Sequence, residues 1–101
     1  MKYKIIISDK ANEQIKQNLA FISKVSKAAA KVQNTEFKNA IKSIKEDPKS
    51  YKFLSEEYLQ SNKYRKYVVS KRYIILYQII EETVYIEFVI DTRTDYNWLI
   101  K

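Results

Sequence analysis

The chain has 101 residues, 46% hydrophobic and 31% charged, with a net charge of +7. That is a globular composition for one domain over residues 1–101, able to bury roughly two thirds of its unfolded surface without staples. Having no Cys, His or Gly excludes disulfides, thiol and imidazole catalysis, zinc sites and Gly-rich phosphate loops.

In chain order, "KYKIIIS" (2–8) predicts a short strand, and Ser8 or Asp9 offers a helix cap. Ala11, Ile15, Leu19 and Ile22 follow helical spacing to about Ser23. A short break around Lys24–Ser26 precedes a second amphipathic helix, with Ala29, Val32, Phe37, Ala40, Ile41 and Ile44 inward. Pro48 marks its end, and the two helices should pack as an antiparallel hairpin. Residues 49–62 read as irregular, anchored by Phe53, Leu54, Tyr58 and Leu59.

After that the period changes to two. "YRKYVVS" (64–70), "YIILYQIIE" (73–81) and "TVYIEFVI" (83–90) read as strands joined by turns at Lys71–Arg72 and Glu81–Glu82. In the last of them Val84, Ile86, Phe88 and Ile90 should face the core, with Tyr85, Glu87 and Val89 opposite. Trp98, Leu99 and Ile100 in the tail are expected to dock. The order β-α-α-β-β-β predicts an α+β fold: a small antiparallel-type sheet covered on one face by the helical hairpin.

A chain this basic implies an anionic partner, nucleic acid or acidic protein; the alternative is charge kept for solubility. All three Arg (Arg65, Arg72, Arg93) lie in the C-terminal 40 residues, and Tyr58–Ile80 contains no acid, so the working surface is expected there. The pairs Glu56/Glu57 and Glu81/Glu82 read as loop and turn, and no converging carboxylates suggest Mg²⁺. No cofactor or metal is expected. No apolar run approaches the ~18 residues of a membrane span, and the N-terminus lacks a signal-peptide pattern, so the expected location is cytoplasmic with no membrane partner.

The element order, size and charge resemble the RelE/ParE superfamily of toxins from type II toxin–antitoxin modules. "LAFISKVSKAAAKVQNTEFKNAIKSIKEDP" is similar to the family's helical hairpin, and "YRKYVVSKRYIILYQIIEETVYIEFVIDTRTDYNWL" to its C-terminal sheet. Arg65, Tyr73, Tyr77 and Arg93 match positions where the family commonly has Arg, an aromatic, Tyr and Arg, and Asp95–Tyr96 resembles its ending. The resemblance implies a toxin neutralised by a cognate acidic antitoxin, with a target of either the ribosome and its mRNA or DNA gyrase. Ribonuclease members often carry Gly-Tyr-Arg entering the third strand; here Arg72 and Ile74 take the Gly and Arg positions, and Thr94 fills one that is often basic. The long hairpin leans toward ParE.

Metal-independent RNA cleavage on the ribosome needs a base, cations on the phosphorane and an acid for the leaving group. Without His, Lys or Tyr must serve, both starting near pKa 10. The candidate set is Arg65, Arg93 and Tyr96 for catalysis, Tyr96 as proton donor. Lys63, Arg65, Lys66, Lys71, Arg72 and Arg93 form the candidate target- or anion-binding group, and Tyr64, Tyr67 and Tyr96 could stack on bases. Each has a plainer reading: Arg65 and Lys66 as strand residues facing water, Arg72 as a turn residue, Tyr77 as sheet packing and Tyr96 as packing against Trp98. A non-catalytic, basic nucleic-acid-binding module is the competing function.

Overall fold

The computed structural model describes residues 3–53 and 64–92. The elements are β1 (Lys4–Ile7), α1 (Asp9–Val25), α2 (Lys27–Glu46), a 3₁₀ turn (Pro48–Ser50), β2 (Arg65–Val69), β3 (Tyr73–Ile80) and β4 (Thr83–Asp91). The sheet order is β1-β4-β3-β2. The two hairpins are antiparallel, as expected, but β1 lies parallel to β4, with Ile5 opposite Val84 and Ile7 opposite Ile86, so the sheet is mixed. Parallel neighbours require a crossover, and the helical hairpin is that crossover. The architecture is α+β, two helices against one face of a four-stranded sheet.

Single residues set the helix boundaries. The Ser8 hydroxyl accepts from Ala11 N–H at 2.9 Å and caps α1. Ser26 serves both helices: its N–H donates to Ile22 O, closing α1, and its hydroxyl accepts from Ala29 N–H at 3.1 Å, opening α2. That one extended residue (φ −155°, ψ 116°) replaces the three-residue break expected at Lys24–Ser26. Asp47 ends α2 and Pro48 opens the next turn, where its fixed φ is tolerated.

The core lies between helices and sheet: Ala11, Phe37, Ala40 and Ile44 against Val69, Tyr73, Ile75, Tyr77, Val84, Ile86 and Val89. Val32, expected inward, is 63% exposed. The buried residues of α2 begin at Phe37, and Gln33 donates to the Ser70 hydroxyl in the β2–β3 turn. The part of α2 before Gln33 faces α1 and contributes no fully buried residue.

The alternation expected in β4 holds for Val84 and Ile86 and then fails. Leu76 pairs with Phe88 but Tyr77 with Ile86, which leaves Glu87 as an extra residue in a β-bulge. One inserted residue reverses the phase of a period-two pattern. Val89 enters the helix-side core, while Phe88 and Ile90 turn to the opposite face of the sheet, where Leu76 and Ile90 are buried in a second cluster with Ile74 and Tyr64. Phe53 is also not a core anchor: it bridges to Arg65 and is 36% exposed. Leu54, Tyr58, Leu59 and the tail residues Trp98, Leu99 and Ile100 lie outside the described residues.

The β2–β3 turn is centred one residue earlier than expected. Ser70 and Lys71 hold φ of 55° and 58°, and Arg72 N–H closes the turn on Val69 O at 3.1 Å. Two consecutive positive φ values are the mark of a type I′ turn, which favours Asn-Gly. Glu81 begins the second hairpin turn at φ 56°. Left-handed geometry costs non-Gly residues about 1 kcal/mol or more each. Lys71→Gly should therefore raise unfolding stability by about 1 kcal/mol, read as a rise in urea midpoint at unchanged slope.

Candidate target-contacting surface

The described cations of the basic run, Arg65, Lys66, Lys71 and Arg72, do not share one face of the sheet. Arg65 pairs with Tyr77 and Lys66 with Leu76, so the two neighbours point to opposite faces of the sheet. Arg65 takes the helix side. Its Nη1 donates to Tyr51 O at 2.7 Å and to Lys49 O at 3.2 Å, and its guanidinium lies 4.1 Å from the Phe53 ring centroid. These contacts fasten residues 49–53 to β2, joined by the Lys66 N–H to Lys52 O bond at 3.0 Å. Lys66 lies on the sheet face opposite the helices, in register with Leu76 and next to Val68.

Lys71 is exposed at the tip of the β2–β3 turn, and Arg72 sits at its base. The Arg72 Nε lies 3.8 Å from Asp91 Oδ2, and its guanidinium lies 5.3 Å from the Tyr73 ring centroid. The Arg72 carbonyl accepts from both the N–H and the hydroxyl of Thr92 at 2.8 and 2.9 Å. Arg72 thus ties the turn to the end of β4. The candidates Lys63, Arg93 and Tyr96 lie outside the described residues, as does Thr94.

The Ile74 position, where a ribonuclease member often carries Arg, is apolar in its surroundings as well as its identity. Ile74 packs with Tyr64, Phe88 and Ile90 around the buried Leu76 on the sheet face opposite the helices. Tyr64 and Phe88 meet edge to face with centroids 5.9 Å apart, and Tyr67 meets Tyr51 likewise at 4.8 Å. Two of the three tyrosines proposed for base stacking, Tyr64 and Tyr67, are thus in aromatic pairs within the fold, and the third, Tyr96, lies outside the described residues.

The two tyrosines that match family positions are core residues. The Tyr77 hydroxyl donates to Pro48 O at 2.7 Å in a buried bond, fixing the turn after α2 to the middle of β3. Burial pushes its pKa well above the usual phenol range, and the Arg65 charge only partly opposes this. Tyr73 is raised by the same cause, with Arg72 opposing and Asp91 adding to it. Its hydroxyl finds no hydrogen-bond partner among the described residues. Both phenols therefore stay protonated at physiological pH and neither is a ready base.

Sequence reasoning missed where the positive charge accumulates. Residues 64–92 carry Arg65, Lys66, Lys71 and Arg72 against Glu81, Glu82, Glu87 and Asp91, a balance of zero. The helices, residues 9–46, carry eight Lys against Asp9, Glu13, Glu36 and Glu46. The acid-free stretch from Gln14 to Thr35 was there to be read, but its Lys are spaced out and do not form a run.

A family model for the ParE toxin of type II toxin–antitoxin systems, parDE, matches residues 5–96. The chain belongs to this family. No curated protein matches it. As a ParE-family member it is the toxin of a type II pair and has a cognate antitoxin as partner. Among the described residues of this ParE-family chain, no helix is long and apolar enough to cross a membrane.

Two outcomes are expected. Tyr77→Phe strands the buried Pro48 carbonyl and should cost about 1–3 kcal/mol, whereas Tyr73→Phe should be neutral. A folded-state pKa raised above 10 means that the unfolded chain ionises first, so the contribution of Tyr77 is intact below pH 10 and lost as pH rises above it. Urea titrations from neutral to alkaline pH should show a shallower alkaline loss in Tyr77→Phe than in wild type. Separately, Arg65→Lys keeps the charge but loses the forked contacts and should cost about 1 kcal/mol, against no change for Lys66→Gln, read from the same denaturation curves.

Proposed function

We propose that this toxin arrests growth by acting on DNA gyrase in the cytoplasm, without cleaving RNA. Membership in the ParE family supports the gyrase side of the superfamily. The observation that carries the reading is the commitment of the cations that a ribonuclease site would draw on. Arg65 is engaged by two carbonyls and an aromatic ring, the Arg72 guanidinium by Asp91 and the Tyr73 ring, and Ile74 stands in an apolar cluster where a phosphate-contacting Arg is usual. Tyr73 and Tyr77 are held protonated, so neither of these two phenols is suited to remove a 2′-hydroxyl proton. A protein that inhibits by binding needs none of this chemistry. In this reading the antitoxin is acidic, complementing a chain of net charge +7.

Induction without antitoxin should stop growth and trigger DNA-damage signalling. Primer extension should show intact mRNA, and purified gyrase should lose supercoiling activity when the toxin is added. Codon-phased mRNA cuts with unaffected gyrase would transfer the chain to the ribosome-dependent nucleases. Normal growth with soluble toxin present would remove the toxic activity altogether.

A further inference from the structure

The two edges of the sheet are finished differently. At one edge, β2 is covered by the chain that precedes it: Phe53 bridges to Arg65, and the Lys66 N–H donates to Lys52 O at 3.0 Å. At the other edge, β1 has no strand beyond it among the described residues. Its bonds to β4 run from Lys4 N–H on Glu82 O to Ser8 N–H on Ile86 O. Successive residues of a strand turn their backbone groups to opposite sides. Lys4, Ile6 and Ser8 therefore serve β4, while Ile5 and Ile7 present theirs outward. Edge strands are ordinarily blunted by a bulge, a Pro or a run of charge. β1 has only Lys4 of these, and its register with β4 is unbroken. Ile5 and Ile7 pack toward the helices, and Ile6, on the other face, is 47% exposed.

The chain turns into α1 at Asp9, so an incoming strand has only a short edge to pair with. A second copy of β1 fits that edge in antiparallel register about Ile6. Ile5 then lies opposite Ile7 of the second copy, and the reverse pair is its symmetry mate. Each pair exchanges both N–H···O bonds, so every outward group of the two residues is satisfied. Ile6 meets its own equivalent in the intervening non-hydrogen-bonded pair, where side chains come closest. Lys4 falls opposite Ser8 of the second copy. One strand further in, level with that serine, is Glu87, which shares a cleft of about 230 Å³ with Ile6, Ser8, Gln78 and Tyr85. Strands are ~4.8 Å apart, within the span of a Lys and a Glu side chain reaching toward each other. Within its own chain Lys4 is level with Thr83, about 13 Å along β4 from Glu87, so the pair forms only between copies. An acidic extended peptide would instead set carboxylate against Glu87.

We propose that the free toxin self-associates through β1, two copies joining edge to edge in antiparallel register about Ile6 so that their sheets become one. The inference is independent of which target the toxin acts on. A pairing this short makes an interface of the small, reversible class. Dimer is expected at about 100 μM and monomer below about 1 μM.

Sedimentation velocity of the full-length toxin, freed of antitoxin, should show that concentration dependence. Ile6→Lys sets a charge against its own copy on the two-fold axis and should weaken association by roughly 30-fold or more. Lys4→Glu should weaken it by about 10-fold, and Lys4→Glu/Glu87→Lys should recover most of the loss. The chain has no Cys, so Ile6→Cys should yield a disulfide-linked dimer under mild oxidation, because residues facing each other in such a pair stand at disulfide distance. Ile80→Cys and Val68→Cys, at least as exposed but away from β1, should stay unlinked. Unchanged thermal unfolding checks that the variants fold. A wild type that is monomeric throughout, or a dimer that Ile6→Lys leaves intact, overturns the proposal. So does cross-linking of Ile80→Cys or Val68→Cys as fast as that of Ile6→Cys. A monomeric wild type whose antitoxin affinity is lost in Ile6→Lys also overturns it, and assigns the edge to the antitoxin.

Discussion

The fold depends on the junction at Ser8. Its N–H donates to Ile86 O at 2.8 Å, completing the parallel pairing of β1 with β4. Its hydroxyl accepts from Ala11 N–H to start α1, and donates to Glu87 O at 2.8 Å. Where β1 ends, α1 takes over its role: the Gln14 side-chain oxygen accepts from Val89 N–H at 2.8 Å. The extra residue Glu87 makes room for this handover, and Gln78 donates to the Glu87 carboxylate from the neighbouring strand. A bulge leaves backbone groups without ladder partners. Here a capping serine and a helix glutamine satisfy them, so the helical layer and the sheet are joined by hydrogen bonds as well as by packing.

That junction also explains which parts of the structure were legible in the sequence. Ser8, Ser26 and Pro48 mark helix limits through local chemistry, and local chemistry is readable. The four strands were equally plain from their β-branched and aromatic content. The phase of β4 beyond Ile86 was not, because Phe88, Val89 and Ile90 are all apolar and fit either face. Only the partner strand and α1 decide that Val89 goes in. The parallel direction of β1 was hidden for a similar reason, since four residues of Lys and Ile carry no mark of their neighbour. The outward turn of Val32 depends on how far the sheet extends beneath α2, a tertiary fact that helical periodicity cannot register.

The candidate site shows a different kind of gap. That Arg65 and Lys66 face opposite ways follows from strand alternation alone, and a cluster containing both was already in tension with that rule. What alternation could not disclose is that Arg65 would be occupied by the carbonyls of Lys49 and Tyr51. A charged donor on two backbone oxygens is a structural clamp with little freedom to follow a moving phosphate. The same holds for Tyr77, which matches a position where the family commonly has a Tyr and whose hydroxyl here secures Pro48.

Charge and apolar exposure are divided between the two layers in a way that bears on how such a toxin can be silenced. The sheet segment is neutral overall and its helix face is filled, whereas the half of the hairpin between Gln14 and Thr35 carries Lys with no ion pair among the described residues and exposed Phe21, Val25 and Val32. Leaving these side chains in water forgoes on the order of 1–2 kcal/mol each that a partner could recover by covering them. Lys at this density accelerates encounter with an acidic chain but contributes less to holding it, because exposed pairs are weak and screened. Covered apolar residues govern how slowly the complex dissociates. A surface with both features favours rapid capture followed by long retention. It also concentrates that advantage on the half of the hairpin that the core does not need, so residues there can adapt to a partner without loosening Phe37, Ala40 or Ile44.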